Sequence, residues 1–298
     1  MMLKPIRRLM ATVAVAPMIA LVPRAVVAQC TALSATSPEA KLLAFYAVPL
    51  AFSTAVQPNQ LRPWQFRVSL EVTPMPAADA SLRATTCYAS SKTESTNLAS
   101  VFPRPRIAMG LPWNLEVEAS YVPPLKVKDA TANLIGLALA WTRRVAVVAG
   151  SSVIAQARVH TLIGTVEGPI VCGTDALQAD PTQVCYGKQV SNDRFTPNLS
   201  GAELTGAIDL GEYAVFLTVG MNSVAPEFRV DFQSGVGYVT PLPPPDHTLV
   251  TLKERLSRFT LGGGATWRMF RGLDLTGQIY ASPDDISVTR VVLSYTFR

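Results

Sequence analysis

Few residues in this sequence could carry chemistry. There are two histidines, His160 and His247, and four cysteines, Cys30, Cys87, Cys172 and Cys185. A zinc site needs several ligands at close spacing. Cys172 and Cys185 are not in CxxC spacing and Cys30 and Cys87 stand far apart, so no metal site is expected. Nucleophilic catalysis needs a histidine able to reach a serine. Neither histidine lies in a His-x-Ser spacing, and His160 is followed by Thr161 and Leu162. Gly262-Gly263-Gly264 lacks the context of a phosphate-binding loop and reads as a bend or close approach within a strand. Neither an enzyme nor a cofactor is expected.

What remains is charge. Arg67, Arg158, Arg258, Arg268 and Arg290, with Glu71, Glu116, Glu118, Glu203 and Asp274, fall on the polar side of alternating stretches, and His160 lies two residues from Arg158. Residues two apart share one face of a β-strand. If these strands close on themselves, the eleven groups line a common lumen. Two readings stay open: mutual salt bridges that fill a narrow interior, or a charged constriction that selects solutes.

The elements that must position these groups are read from composition and period. The chain has 298 residues, 49% hydrophobic and 16% charged, with a mean hydropathy of +0.25. Residues 1–28 have the pattern of a secretory signal: Lys4, Arg7 and Arg8, an apolar run from Leu9 to Val22, then Val26-Val27-Ala28 before Gln29. With Arg24 this segment holds four of the 26 basic residues and no acidic one, so 22 basic groups face 21 acidic ones beyond it. No clustered positive excess remains, which excludes nucleic acid as a partner. Beyond the leader no apolar run reaches the about 18 residues of a spanning helix. An exported, apolar chain of this kind is either a β-sandwich or a membrane β-barrel.

Ten segments alternate as barrel strands do, with apolar residues toward lipid and polar ones toward the lumen. The clearest are Trp64–Pro74, Trp113–Pro123, Ser152–Glu167, Arg258–Phe270, Gly272–Ala281 and the final SVTRVVLSYTFR. Ala202–Leu210 and Tyr213–Met221 pair across Gly211-Glu212, and Phe102–Gly110 and Thr131–Arg143 alternate with weaker contrast. An even count leaves short turns at one end and long connections at the other. Trp64, Trp113, Trp141 and Trp267 then gather at the short-turn end as an aromatic girdle. Sandwiches do not gather tryptophans so, which favours an all-β transmembrane antiparallel up-and-down barrel of 10–12 strands. Pro226–Thr240 also alternates; it forms a hairpin above the membrane, or Thr248–Phe270 splits and the barrel has twelve strands.

Ahead of the first strand, Ser37-Pro38-Glu39 fits a helix start: an N-cap, a proline at the first helical position and an acidic first turn. The following AKLLAFYAVPLAFSTAV is apolar nearly all round, so it is expected to be buried, with a kink or break at Pro49. The terminal strand with its aromatic tip resembles the C-terminal signal of bacterial outer-membrane barrels. That resemblance implies recognition by the barrel-assembly machinery and a home in outer-membrane lipid. The apolar segment ahead of the first strand resembles the N-terminal plug of the long-chain fatty-acid transporter family. The chain is also similar to outer-membrane barrels in which a "PL" helix precedes a "WQFRVSLEV"-type strand and a "GLPWNLEVEASYVPP" hairpin. These resemblances imply a leader (1–28), a plug or cap (29–62) and a transmembrane barrel (63–298). The charged lumen argues against a greasy conduit.

Two functions follow as expectations. One is a porin-like channel or transporter in the bacterial outer membrane for small molecules, hydrophobic ones among them. The other is a closed barrel that displays long external loops. Export places the cysteines in an oxidising compartment. The expected pairs are Cys172 with Cys185, closing an external loop, and Cys30 with Cys87, pinning the plug. A helix from Pro38 to about Thr54 would span roughly 25 Å, the height of a barrel's apolar band. It either runs down the lumen, which favours twelve or more strands, or caps the periplasmic mouth with Cys30 unpaired or paired elsewhere.

Overall fold

The computed structural model describes residues 32–83, 100–127, 129–148, 151–177, 179, 189–230 and 248–297. The alternating segments are strands: β1 (Phe66–Pro74), β2 (Val101–Gly110), β3 (Leu115–Val127), β4 (Ala130–Val148) and β5 (Ser151–Gly168). After them come β6 (Asp193–Thr196), β7 (Leu199–Asp209), β8 (Tyr213–Val224), β9 (Glu227–Val230), β10 (Thr248–Val250), β11 (Leu256–Phe270), β12 (Leu273–Ser282) and β13 (Ile286–Thr296). Every pairing between these strands is antiparallel, and an isolated parallel bridge joins Leu33 to Leu252. β1 pairs with β13 from Arg67↔Thr296 to Val72↔Val291, and β5 pairs with β7 from Ser152↔Asp209 to Leu162↔Leu199. Those two seams close a ten-strand up-and-down barrel of β1–β5, β7, β8 and β11–β13.

The three remaining strands lie beyond the long-loop rim. β5 outruns β7, and its last residues, Val166–Gly168, pair instead with β6, followed by β9 and β10. The alternation that begins at Pro226 therefore belongs in part to this flap. The barrel keeps ten strands, and residues 231–240 lie outside those described.

The outer surface is what lipid requires. Leu70, Ile107, Leu137, Val159, Leu204, Val219, Leu261 and Leu293 are exposed around the wall, and Leu217 is 73% exposed. A belt this wide and apolar is stable only against hydrocarbon. Trp64, Trp113, Trp141 and Trp267 are all exposed at the short-turn end, joined there by Phe66, Tyr213, Phe270, Tyr295 and Phe297. The Arg271-Gly272 turn needs its glycine, with φ at +87° and an added Cβ 2.7 Å from the Thr296 carbonyl oxygen.

One ladder is short. β2 pairs with β1 over its whole length, but with β3 only from Gly110↔Glu116 to Arg106↔Ser120. Above that point β2 carries Pro103 and Pro105 and β3 carries Pro123 and Pro124, none of which has an N–H to donate. The β3–β4 register shifts at the same height, between Val122 and Leu125.

Candidate functional site

The lumen holds the chain's own N-terminal segment. Helix α1 (Pro38–Ala47) starts where the sequence places it, with Ser37 Oγ accepting the Ala40 N–H at 3.1 Å and Pro38 in the first turn. It ends early. Pro49 sits in a 3-10 turn over Val48–Leu50, the backbone opens out at Ala51 (φ −53°, ψ 134°), and residues 51–57 form neither helix nor strand. A ten-residue helix is only about 15 Å long. The expected helix to Thr54 is thus replaced by a short helix near the long-loop rim and an extended thread below it. This also removes the problem of width, since an extended chain is much thinner than a helix and ten strands can enclose it.

The upper lumen is apolar. Leu43, Ala44, Ala47, Val48 and Leu50 pack against inward-facing Phe102, Leu134, Leu162, Leu199, Leu256 and Val288, drawn from six different wall strands. The sequence reading of a charged lumen holds only for the lower part.

There the thread meets arginines. Arg104 donates through Nη1 to the Ala51 carbonyl at 3.0 Å and through Nη2 to the Leu50 carbonyl at 2.5 Å. Arg106 Nη2 donates to the Ser53 carbonyl at 2.9 Å, and Arg158 Nη2 to the Phe52 carbonyl at 3.1 Å. Arg290 reaches the carbonyls of Pro49 and Ala51, each at 3.3 Å, and donates to Ser53 Oγ. All five consecutive carbonyls from Pro49 to Ser53 are therefore bound by four guanidinium groups. Two carboxylates hold these arginines in place. Glu71 lies 2.6 Å from Arg106 and 3.7 Å from both Arg104 and Arg290, while Glu118 bonds Arg106 at 3.0 Å and also bonds Arg158.

Phe52 is the thread's one large side chain in this zone. Its ring lies 4.4 Å from the Arg106 guanidinium and 5.1 Å from that of Arg158, within cation–π range. On its other side the wall is bare, because a Cβ added at Gly136 would come within 2.7 Å of the ring.

Below Phe52, Glu203 Oε2 accepts from the Thr54 N–H at 2.8 Å and its hydroxyl at 3.0 Å, and Gln278 donates to the Thr54 carbonyl at 2.7 Å. His160 Nδ1 stands 3.9 Å from the same Glu203 oxygen. Its Nε2 bonds Asn222 Oδ1 at 3.1 Å, and the Asn222 amide donates to Tyr280 Oη at 2.7 Å. This chain of groups steadies the wall that holds Thr54. Ala55 and Val56 then pack on Val292 before the chain reaches the short-turn end and enters β1.

Of the eleven residues singled out by charge, eight are buried on the inner face: Arg67, Glu71, Glu116, Glu118, Arg158, His160, Glu203 and Arg290. Arg67 and Glu116 pair at 2.6 Å near the short-turn end. Arg258 sits at the upper rim, bonded to Asp285 at 2.8 Å. Arg268 sits at the lower rim, forked onto Asp209 at 2.7 and 2.8 Å, with Asp274 its cross-strand neighbour. Sequence reasoning missed Arg104 and Arg106. Their signal was the alternation in VFPRPRIAMG, where prolines occupy the lipid-facing places that a valine or leucine would have made conspicuous.

Cys172 is fully buried in the connection after β5 and is not a free thiol; its N–H donates to Ser191 Oγ at 2.9 Å. Cys30, Cys87 and Cys185 lie outside the described residues, as do His247 and the leader.

No protein-family model matches the chain, and no curated protein is similar to it in sequence. Among solved structures it is similar to Ail, the attachment invasion locus protein of Yersinia pestis, at 7% identity and a TM-score of 0.29, covering 79% of this chain and 100% of that one. An outer membrane channel from Pseudomonas putida F1 aligns at 8% identity and a TM-score of 0.22, covering 81% and 100%. A mutant Rh. blastica porin aligns at 8% identity and a TM-score of 0.21, covering 78% and 99%.

Proposed function

We propose that the protein is a gated channel of the bacterial outer membrane, closed by its own N-terminal segment. One observation carries this reading: residues 49–57 fill the lumen without joining the sheet. Their polar contacts run to wall side chains, so the thread can leave while every barrel ladder stays intact. In this reading the long loops face outward, β13 carries the signal read by the barrel-assembly machinery, and residues 1–28 are a removed leader. Solutes are small molecules, and the apolar upper lumen suits those with a hydrophobic part. No catalytic step is assigned. Disulfides Cys172–Cys185 and Cys30–Cys87 would tie down an external loop and the plug's outer end.

The second reading, a closed barrel that displays its loops, is favoured by the packing of the plug and by the flap of β6, β9 and β10 above the rim. Recordings in planar bilayers separate the two. The wild-type protein should be closed for most of the time, and Phe52→Ala should produce stepwise openings. Silence of both at all voltages would favour the display barrel.

A further inference from the structure

The wall around the thread carries more positive charge than the carboxylates can answer. In the lower lumen five buried arginines, Arg67, Arg104, Arg106, Arg158 and Arg290, stand against four buried glutamates, Glu71, Glu116, Glu118 and Glu203. The shortest contacts of Glu71 and Glu118 go to Arg106 and Arg158, which leaves Arg104 and Arg290 each no nearer than 3.7 Å to Glu71. Arg67 pairs with Glu116, and Glu203 lies opposite Arg158 across the β5–β7 ladder, where it also accepts from Thr54. The two less committed guanidinium groups converge on one atom, the Ala51 carbonyl oxygen, at 3.0 and 3.3 Å. Each is backed by an aromatic ring: Phe102 lies 5.2 Å from Arg104, and Tyr280 lies 4.2 Å from Arg290.

Holding a backbone carbonyl does not require this. An amide or hydroxyl would serve, as Gln278 does for the Thr54 carbonyl. Buried guanidinium groups are costly to desolvate, and each fork here spans two or three neutral oxygens of the thread, where the paired oxygens of a carboxylate or phosphate would match it with full charge. We propose that the Ala51 carbonyl occupies the place of an oxyanion, and that Arg104 and Arg290 are the solute-recognition site of the open channel. The transported molecule is then an anion bearing a carboxylate or phosphate group. This rests on the reading of the thread as a displaceable plug. Plug and solute compete for the same two side chains, so a bound anion also holds the channel open. Rings of arginine select anions in pores by the same electrostatics.

The test uses the full-length protein in planar bilayers under a potassium chloride gradient, with Phe52→Ala to free the plug. Its open state should reverse close to the chloride equilibrium potential, and inorganic phosphate or acetate should reduce the chloride current in a concentration-dependent way. Inhibition by acetate alone assigns a carboxylate, and by phosphate alone a phosphate. Adding Arg104→Gln and Arg290→Gln should move the reversal potential toward zero and abolish inhibition. Should that variant fail to fold, Arg104→Lys with Arg290→Lys keeps the charge but not the fork, and should retain chloride preference while losing inhibition. A conducting Phe52→Ala protein without chloride preference, or one insensitive to both anions, overturns this proposal and leaves the gate standing. Silence of every variant overturns both.

Discussion

The upper and lower halves of the lumen hold the same segment by opposite means. Above Pro49 the plug is a helix and the wall is leucine, valine and phenylalanine; below it the plug is extended and the wall is arginine, glutamate and glutamine. Backbone hydrogen bonding explains the change. A helix closes most of its own N–H and C=O groups, so its surroundings need supply only apolar contact. Past the Ala51 N–H, which still bonds the Val48 carbonyl at 3.0 Å, the thread closes none of its own groups, and in a site shut off from water each group left bare costs about 1–3 kcal/mol. The wall must then offer a donor for every carbonyl from Pro49 to Ser53. Wall polarity follows plug backbone conformation, and the switch occurs at the proline.

This contrast can be broken from either side. The largest effect should come from below. Glu71 is fully buried beside three arginines, and Glu71→Ala leaves those charges unbalanced. The loss should be about 3–5 kcal/mol, read as a lower urea midpoint in detergent. An unchanged midpoint would mean that the carboxylate does not hold the cluster. Its upper counterpart is Leu162→Ala, which removes a fully buried side chain from the wall that packs the plug. A loss of about 2–4 kcal/mol is expected, without any change in ion selectivity. An altered selectivity would erase the distinction between the halves.

Gly136→Val addresses their boundary. The new side chain would strike the Phe52 ring, costing about 1–3 kcal/mol and favouring the open channel. In a double-mutant cycle Phe52→Ala should cancel most of that cost. Additive effects would show that the ring and Gly136 do not touch. The smallest effect belongs to Ser37→Ala, which removes the cap of α1 and should cost about 1 kcal/mol. Wall mutations elsewhere should leave that value unchanged.

The same contrast explains what the sequence could and could not tell. β1, β3 and β11 were legible because lipid on one side and polar groups on the other impose a clean period of two. The 131–143 and 102–110 segments looked weak for a physical reason. Leu134, Gly136, Ala138 and Phe102 face inward onto apolar plug residues, so β4 and the top of β2 are apolar on both faces. The tryptophans marked the short-turn end correctly, since only an interface rewards them there. The helix start was legible from Ser37-Pro38-Glu39, and the break from Pro49. What followed the break was not, because nothing local tells an extended thread from a resumed helix in LAFSTAV. That choice is made by Arg104, Arg106, Arg158 and Arg290, which lie far away in sequence. The convergence on the Ala51 carbonyl was equally out of reach, since it depends on β2 and β13 meeting across β1.

Hydrogen–deuterium exchange on the full-length protein in detergent tests most directly whether the plug is a unit separate from the barrel. Amides of residues 48–57 are as buried as those of the wall, yet none belongs to a ladder. They should exchange together, well before the amides of β1 and β13 that flank them, and sooner still in Phe52→Ala. Exchange of 48–57 only in step with β1 and β13 would mean that plug and wall open as one body, and would contradict the gate.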